Sequence, residues 1–174
     1  VAPDPPTDAK FSPETWTNAA SVTLRWTTPS DQSGIAFAYL KLGEAPGNVN
    51  DFDLEHTVKA AAGEVDSVSF AAVQEGESPV YLWFKDRSNN VDVSKAIEIR
   101  YRVDRTTPSL PAVVRPNAFS RSDTVKFVWT GANDAGSGIE KYELTVDGHF
   151  QGLVQPVALG GDTLFTELPL FLNG

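Results

Sequence analysis

Residue types that could do chemistry are sparse in this chain. His56 and His149 are its only histidines, and it holds no Cys and no Met. Neither His stands in an H-E-x-x-H or C-x-x-H setting, and no G-x-S-x-G is present. Absent Cys excludes a disulfide scaffold, a Cys-based zinc site and a thiol nucleophile. Asp and Glu number 23, but no spacing places two of them in one cleft. The chain is therefore read as non-enzymatic, with no catalytic residue and no cofactor.

Calcium is the remaining metal to weigh. Asp51, Asp53 and Glu55 cluster in one loop, and Asp86, Asn89, Asn90 and Asp92 in another. Calcium takes six to eight oxygens, and such loops supply some of them. Neither loop has the D-x-[DN]-x-[DN]-G spacing. Asp and Asn are also good turn residues that bond their own backbone, and that reading is preferred. The loops Asp31-Gln-Ser-Gly-Ile35 and Asp134-Ala-Gly-Ser-Gly-Ile139 resemble anion sites superficially. They precede strands, so no helix N-terminus is there to hold an anion. Gly34 and Gly138 are expected at positive φ, with the Asp capping the turn.

Charge narrows the partners. Fourteen Lys+Arg against 23 Asp+Glu leave a net charge of −9. Nucleic acid is bound largely through Lys and Arg, so so acidic a chain is a poor candidate for it. No run approaches the roughly 20 apolar residues of a membrane helix. Without Met, Val1 is not a translation start as written, and the Pro-rich opening VAPDPPTD fits a cleavage point or linker.

The elements that must position these residues are strands. Val22, Leu24 and Trp26 alternate with Thr23 and Arg25; Ile97, Ile99, Tyr101 and Val103 alternate with Glu98, Arg100 and Arg102. This period of two marks half-buried strands. Turn residues at Thr28–Asp31, Asp86–Asn90 and Asp147-Gly148 separate them. The best helical segment is His56–Ala62, a turn or two at most.

The pattern also recurs. Pro13–Trp26 aligns without gaps on Pro116–Trp129, an offset of 103 residues. Trp16 falls on Phe119, Val22 on Val125, Leu24 on Phe127, Leu40 on Leu144 and Leu42 on Val146. The offset is the size of a small domain, too long for a solenoid repeat. Pro108 and Pro111 stiffen the junction. The expected organisation is a complete domain over 1–103, a linker over 104–108 and a second domain over 109–174. Both are all-β sandwiches.

Each repeat resembles an immunoglobulin-like or fibronectin type III-like module of bacterial secreted and surface proteins. The matching pieces run in order: Trp26 ending a B strand, the Asp31–Ile35 loop, a C strand over Phe37–Leu42, and an F strand over Val80–Lys85. The turn Asp86-Arg-Ser-Asn-Asn90 and the closing Val103-Asp-Arg-Thr-Thr-Pro108 follow. The resemblance covers nearly all of 1–103 and then 107 to about 150. It implies an extracellular or cell-surface location, a role in spacing, presentation or adhesion, and neighbouring domains as partners.

The second repeat departs from the first. Ser67–Val73 reads as an E strand in the first repeat and Asp162–Leu168 as its counterpart. After that point nothing in the second repeat corresponds to 77–103. The expectation is that its last two strands lie beyond Gly174 or are supplied by a complementing chain, because unpaired edges are templates for pairing.

One face stands out. Val80, Leu82 and Phe84 are expected inward, leaving Tyr81, Trp83 and Lys85 outward; Phe37, Tyr39 and Lys41 join them from the C strand, and Glu98, Arg100 and Arg102 from the G strand. The candidate binding residues are Phe37, Tyr39, Tyr81, Trp83, Arg100 and Arg102. Three fates fit them: cover by the 43–66 connection or the second domain, with Arg stacked on Tyr81 or Trp83; a protein-partner surface; or a glycan platform, as in an accessory carbohydrate-binding region of a polysaccharide-degrading enzyme.

Overall fold

The alternation read from the sequence becomes seven strands in the first half of the chain: β1 (Lys10–Ser12), β2 (Ser21–Thr27), β3 (Ile35–Leu42), β4 (Leu54–Thr57), β5 (Val65–Ala71), β6 (Gly76–Asp86) and β7 (Ile97–Val103). The computed structural model describes residues 1–114, 124–146, 149–154, 157–160 and 163–169. The chain divides into two compact units, Val1–Arg105 and Thr106–Gly174. All pairings between named strands are antiparallel.

Unit 1 is a sandwich of two sheets, ordered β1-β2-β5 and β4-β3-β6-β7. Every second residue of β2 points inward, so Val22, Leu24 and Trp26 are buried while Arg25 between them is exposed. The facing sheet supplies Ala38, Leu40, Val80, Leu82, Phe84, Tyr101 and Val103 to the same core. Phe11 meets Tyr101 edge-on at 5.4 Å and Phe70 at 6.0 Å, the offset geometry that the aromatic quadrupole favours. Leu24, Leu40 and Leu82 are fully enclosed. Burying each such side chain stabilises by roughly 1.5–3 kcal/mol, and truncating one to Ala costs about 2–5 kcal/mol.

Turn chemistry closes the strands as expected. Gly34 sits at φ 78 and Gly138 at φ 79, where a Cβ is disfavoured. Asp31 accepts from the Ser33 backbone N–H at 2.8 Å, and Asp134 accepts from the N–H of Gly136 and of Gly138.

The segment 56–62 is not helical. His56 and Thr57 belong to β4, which pairs with β3, and the residues after them form a loop. Carboxylates hold that loop: Asp66 accepts from the N–H of Lys59 and Ala60, and Glu64 from that of Ala61. Three backbone donors are thereby withdrawn from any helical ladder, which outweighs the helix propensity of three alanines. The E strand is also shifted. It spans Val65–Ala71 rather than 67–73, because Val65 and Asp66 still pair with Thr27 and Trp26. Val73 lies beyond it, exposed.

Unit 2 contains β8 (Val113–Val114), β9 (Thr124–Thr130), β10 (Tyr142–Val146), β11 (His149–Val154), β12 (Val157–Gly160) and β13 (Thr163–Pro169). Its sheets are β12-β13-β9-β8 and β10-β11. The Trp-ending strand again pairs antiparallel with the E-type strand: β9 with β13 here, β2 with β5 in unit 1. The expected equivalence of Phe119 with Trp16 and the turns at Asp147-Gly148 and 172–174 lie outside the described residues.

Candidate functional site: the outer face of the four-stranded sheet

Three strands of unit 1 deliver all six candidate residues to one side of a sheet. Because successive side chains alternate, sealing Ala38 and Leu40 in the core sends Phe37, Tyr39 and Lys41 outward from β3. On β6, the inward set Val80, Leu82 and Phe84 sends Tyr81, Trp83 and Lys85 outward. The register then sets Tyr39 opposite Trp83, Lys41 opposite Tyr81, and Tyr81 opposite Glu98.

The aromatic half of this face is covered. Trp83 is 1% exposed and Tyr39 6%. The cover comes from the 43–53 connection, whose Phe52 stacks on Tyr39 with ring centroids 4.4 Å apart. Phe37 stacks on Tyr39 at 6.3 Å and remains half-buried. Burial raises the pKa of the Tyr39 phenol, and the neighbouring Glu55 raises it further by its charge and by accepting a hydrogen bond. The Trp83 indole N–H has no hydrogen-bond partner among the described residues. Two aromatic planes that could have served as a sugar platform thus lie inside the protein.

Charge pairs fasten the covering loop. Lys41, 13% exposed at its side chain, reaches Asp51 at 2.9 Å, Asp53 at 3.6 Å and Glu44 at 3.7 Å. Asp51 also accepts from the Gly47 N–H and Asp53 from the Leu42 N–H, both at 2.8 Å. The Gly47 N–H, and then the Lys41 ammonium, hold the Asp51 carboxyl below its ordinary pKa. These acidic groups therefore answer a lysine and the backbone. In the other acidic loop, Asp86 is buried and accepts from the Asn90 backbone and side chain, each at 2.7 Å. Asp92 caps a single 3-10 turn, Val93–Lys95, by accepting from the Ser94 N–H at 2.9 Å. Among the described residues, no group of three or more His, Cys, Asp or Glu is arranged to hold a metal ion.

The polar half of the face is a ladder of opposite charges. Tyr81 donates to Glu98 at 2.9 Å, Arg100 pairs with Glu98 and lies 3.7 Å from Glu77, and Arg102 bonds Glu77 at 3.0 Å. Arg100 and Arg102 thus meet carboxylates, whereas stacking on Tyr81 or Trp83 is only one of the arrangements that cover would allow. Pairs this exposed contribute about 0–1 kcal/mol each, so the ladder sets register and solubility more than stability.

Two further groups escaped sequence reasoning. His56 Nε2 lies 3.1 Å from Asp66 Oδ1 and its ring meets Trp26 edge-on at 5.6 Å, linking β4 of one sheet to β5 of the other. Arg105 bonds the carbonyls of Ala19 (2.8 Å) and Ala72 (2.7 Å) and the Glu75 carboxylate (3.3 Å), tying the chain to the end of the sandwich. Neither has a local signature: the paired residues are 10 and up to 86 positions apart. Phe52 offered a faint one, as the lone aromatic in an acidic loop.

No protein-family model matches the chain, and no curated protein sequence matches it. Among the described residues, no helix is long and apolar enough to cross a membrane. What is established is an all-β chain whose first unit packs a three-stranded sheet on a four-stranded one.

Proposed function

We propose that this chain is a non-catalytic pair of immunoglobulin-like or fibronectin type III-like modules of an extracellular bacterial protein. They space and present neighbouring domains of the same polypeptide and provide surface for adhesive contacts. The sheet division carries the reading. β1-β2-β5 faces β4-β3-β6-β7, which keeps B beside E and C, F and G together, as in sandwiches of that class. Support also comes from the candidate face, whose largest rings are enclosed and whose arginines are matched by glutamates. A face so arranged stabilises a module more than it captures a ligand.

The test is a replacement. Residues 1–105 are exchanged, within the parent polypeptide, for an unrelated sandwich of similar length. A spacing role predicts that the parent's activity survives. Loss of activity with both folds intact overturns it and points to specific recognition by this module. A glycan array probed with the isolated chain is expected to stay blank.

A further inference from the structure

Strand β7 is the outer strand of the sheet β4-β3-β6-β7 in unit 1, and one short stretch of its free edge is open. Backbone groups along a strand alternate between its two neighbours. Thr17 marks which residues of β7 face the free edge: its N–H donates to the Arg102 C=O at 3.1 Å, and its C=O accepts from the Asp104 N–H at 2.9 Å. Glu98 and Arg100 therefore aim their N–H and C=O at that same edge, while Ile97, Ile99 and Tyr101 bond across to β6. Pro79 agrees with this assignment. It stands opposite Arg100 and turns its C=O to the Gly43 N–H on the other side of β6. Among the described residues, nothing pairs with the edge-facing backbone of Glu98 and Arg100. Thr17 closes the edge from Arg102 onward, and the 3-10 turn Val93–Lys95 closes it before Ala96, whose N–H bonds the Val93 C=O. An open edge of this kind is a template for pairing.

We propose that this window pairs with the same window of a second copy of the chain, antiparallel about Ile99, joining two four-stranded sheets into one. The side chains select both the occupant and the register. Glu98 and Arg100 are exposed on the outer face of β7. Pairing centred on Ile99 sets Glu98 opposite Arg100 of the second copy, and Arg100 opposite Glu98 of the second copy. A slip of one step either way sets Glu98 against Glu98 or Arg100 against Arg100. Opposite charges across a ladder favour pairing, and like charges oppose it. Arg102 falls opposite Ala96, so it adds no like charge directly across. On the other face Ile99, half-buried at the margin of the core, meets Ile99 of the second copy in the non-hydrogen-bonded pair, where side chains approach most closely. Charged residues on an edge strand ordinarily guard it against pairing. A guard of one sign repels a second copy. This one carries both signs two residues apart and is complementary to itself.

Two bonded pairs exchange about four backbone bonds, a short contact, so the dimer belongs to the weak class. The experiment is sedimentation equilibrium of the whole chain in about 0.15 M salt, which screens the repulsion between two chains of net charge −9. A monomer–dimer equilibrium with a dissociation constant on the order of 100 μM is expected. Glu98→Arg places Arg opposite Arg at both positions, and Arg100→Glu places Glu opposite Glu. Each variant alone is expected to dimerise at least about tenfold more weakly. An equimolar mixture of the two restores both opposite-charge pairs and is expected to associate within about threefold of the original chain. Hydrogen exchange of the original chain gives a readout that needs no variant: the Glu98 and Arg100 amides should slow as protein concentration rises. Absence of dimers up to about 1 mM would overturn the proposal. So would dimers that neither variant weakens, a mixture that fails to associate, or exchange at Glu98 and Arg100 that ignores concentration.

Discussion

Trp83 lies directly opposite Tyr39 on the β3–β6 ladder, their ring centroids 5.8 Å apart. Phe52 stacks on the same tyrosine. This small aromatic cluster lies on the side of the sheet away from the main core, and the 43–53 connection covers it. It gives unit 1 a second apolar layer, and the layer has measurable consequences.

Trp83→Ala is expected to destabilise unit 1 by about 3–5 kcal/mol, the range for truncating an enclosed aromatic. Trp83→Phe should cost much less. It keeps most of the apolar volume and removes an indole N–H that has no partner among the described residues. Urea denaturation midpoints compare the two. Equal losses would show that the indole N–H does have a partner, and no loss in either would show that the rings are not enclosed.

Phe52→Ala tests whether the loop is the cover. Phe52 is half-buried, so the expected cost is about 1–3 kcal/mol, below that of a fully enclosed ring. Hydrogen exchange at 43–53 should accelerate while β2 and β5 stay protected. Uniform acceleration across unit 1 would mean that the loop and the sandwich open together.

Arg105→Ala should remove about 1–2 kcal/mol, since its guanidinium makes charge-assisted bonds to two carbonyls and a carboxylate and is itself partly exposed. Arg105→Lys should recover only part of this, because an ammonium cannot match the planar fork. Full recovery by Lys would reduce the role of Arg105 to charge alone.

Acid should weaken unit 1 through Asp66. Burial raises its pKa, but the N–H groups of Ser67 and Lys59, the His56 ring and the Ala60 N–H outweigh burial and leave it below the ordinary carboxylate value. A carboxyl with a depressed folded pKa stabilises the protein above its unfolded pKa, about 3.9, and loses that contribution as pH falls through the folded value. Stability measured by denaturant between about pH 6 and pH 2 should therefore fall below roughly pH 4. Asp66→Asn should be less stable at neutral pH and show a shallower acid decline. An unchanged slope would assign the acid sensitivity to the other depressed carboxyls, Asp8, Asp86 and Glu98 among them.

The strands of unit 1 were legible because alternation is a local property. Val22-Leu24-Trp26 and Val80-Leu82-Phe84 announce their inward faces without reference to any neighbour, and both sets are in the core. The Asp31 and Asp134 turns were legible for the same reason, since cap and glycine lie within four residues of each other. Segment 56–62 was misread because its alanines suit a helix in isolation. What overrides them is a carboxylate, Asp66, that becomes available only when β5 pairs with β2.

The outward direction of Tyr39, Tyr81, Trp83, Arg100 and Arg102 was likewise written in the period of two. Whether those groups meet solvent was not. Backbone alternation dictates which side of a sheet a residue occupies, and the sequence alone determines that much. Cover depends on where a 43–53 connection lies and on which glutamate stands across the ladder from which arginine. Those are relations between residues distant along the chain, and only packing of the whole unit decides them. Phe52 against Tyr39, Glu77 between Arg100 and Arg102, and Glu98 beside Arg100 turn a row of candidate binding residues into an enclosed aromatic layer beside a balanced charge ladder.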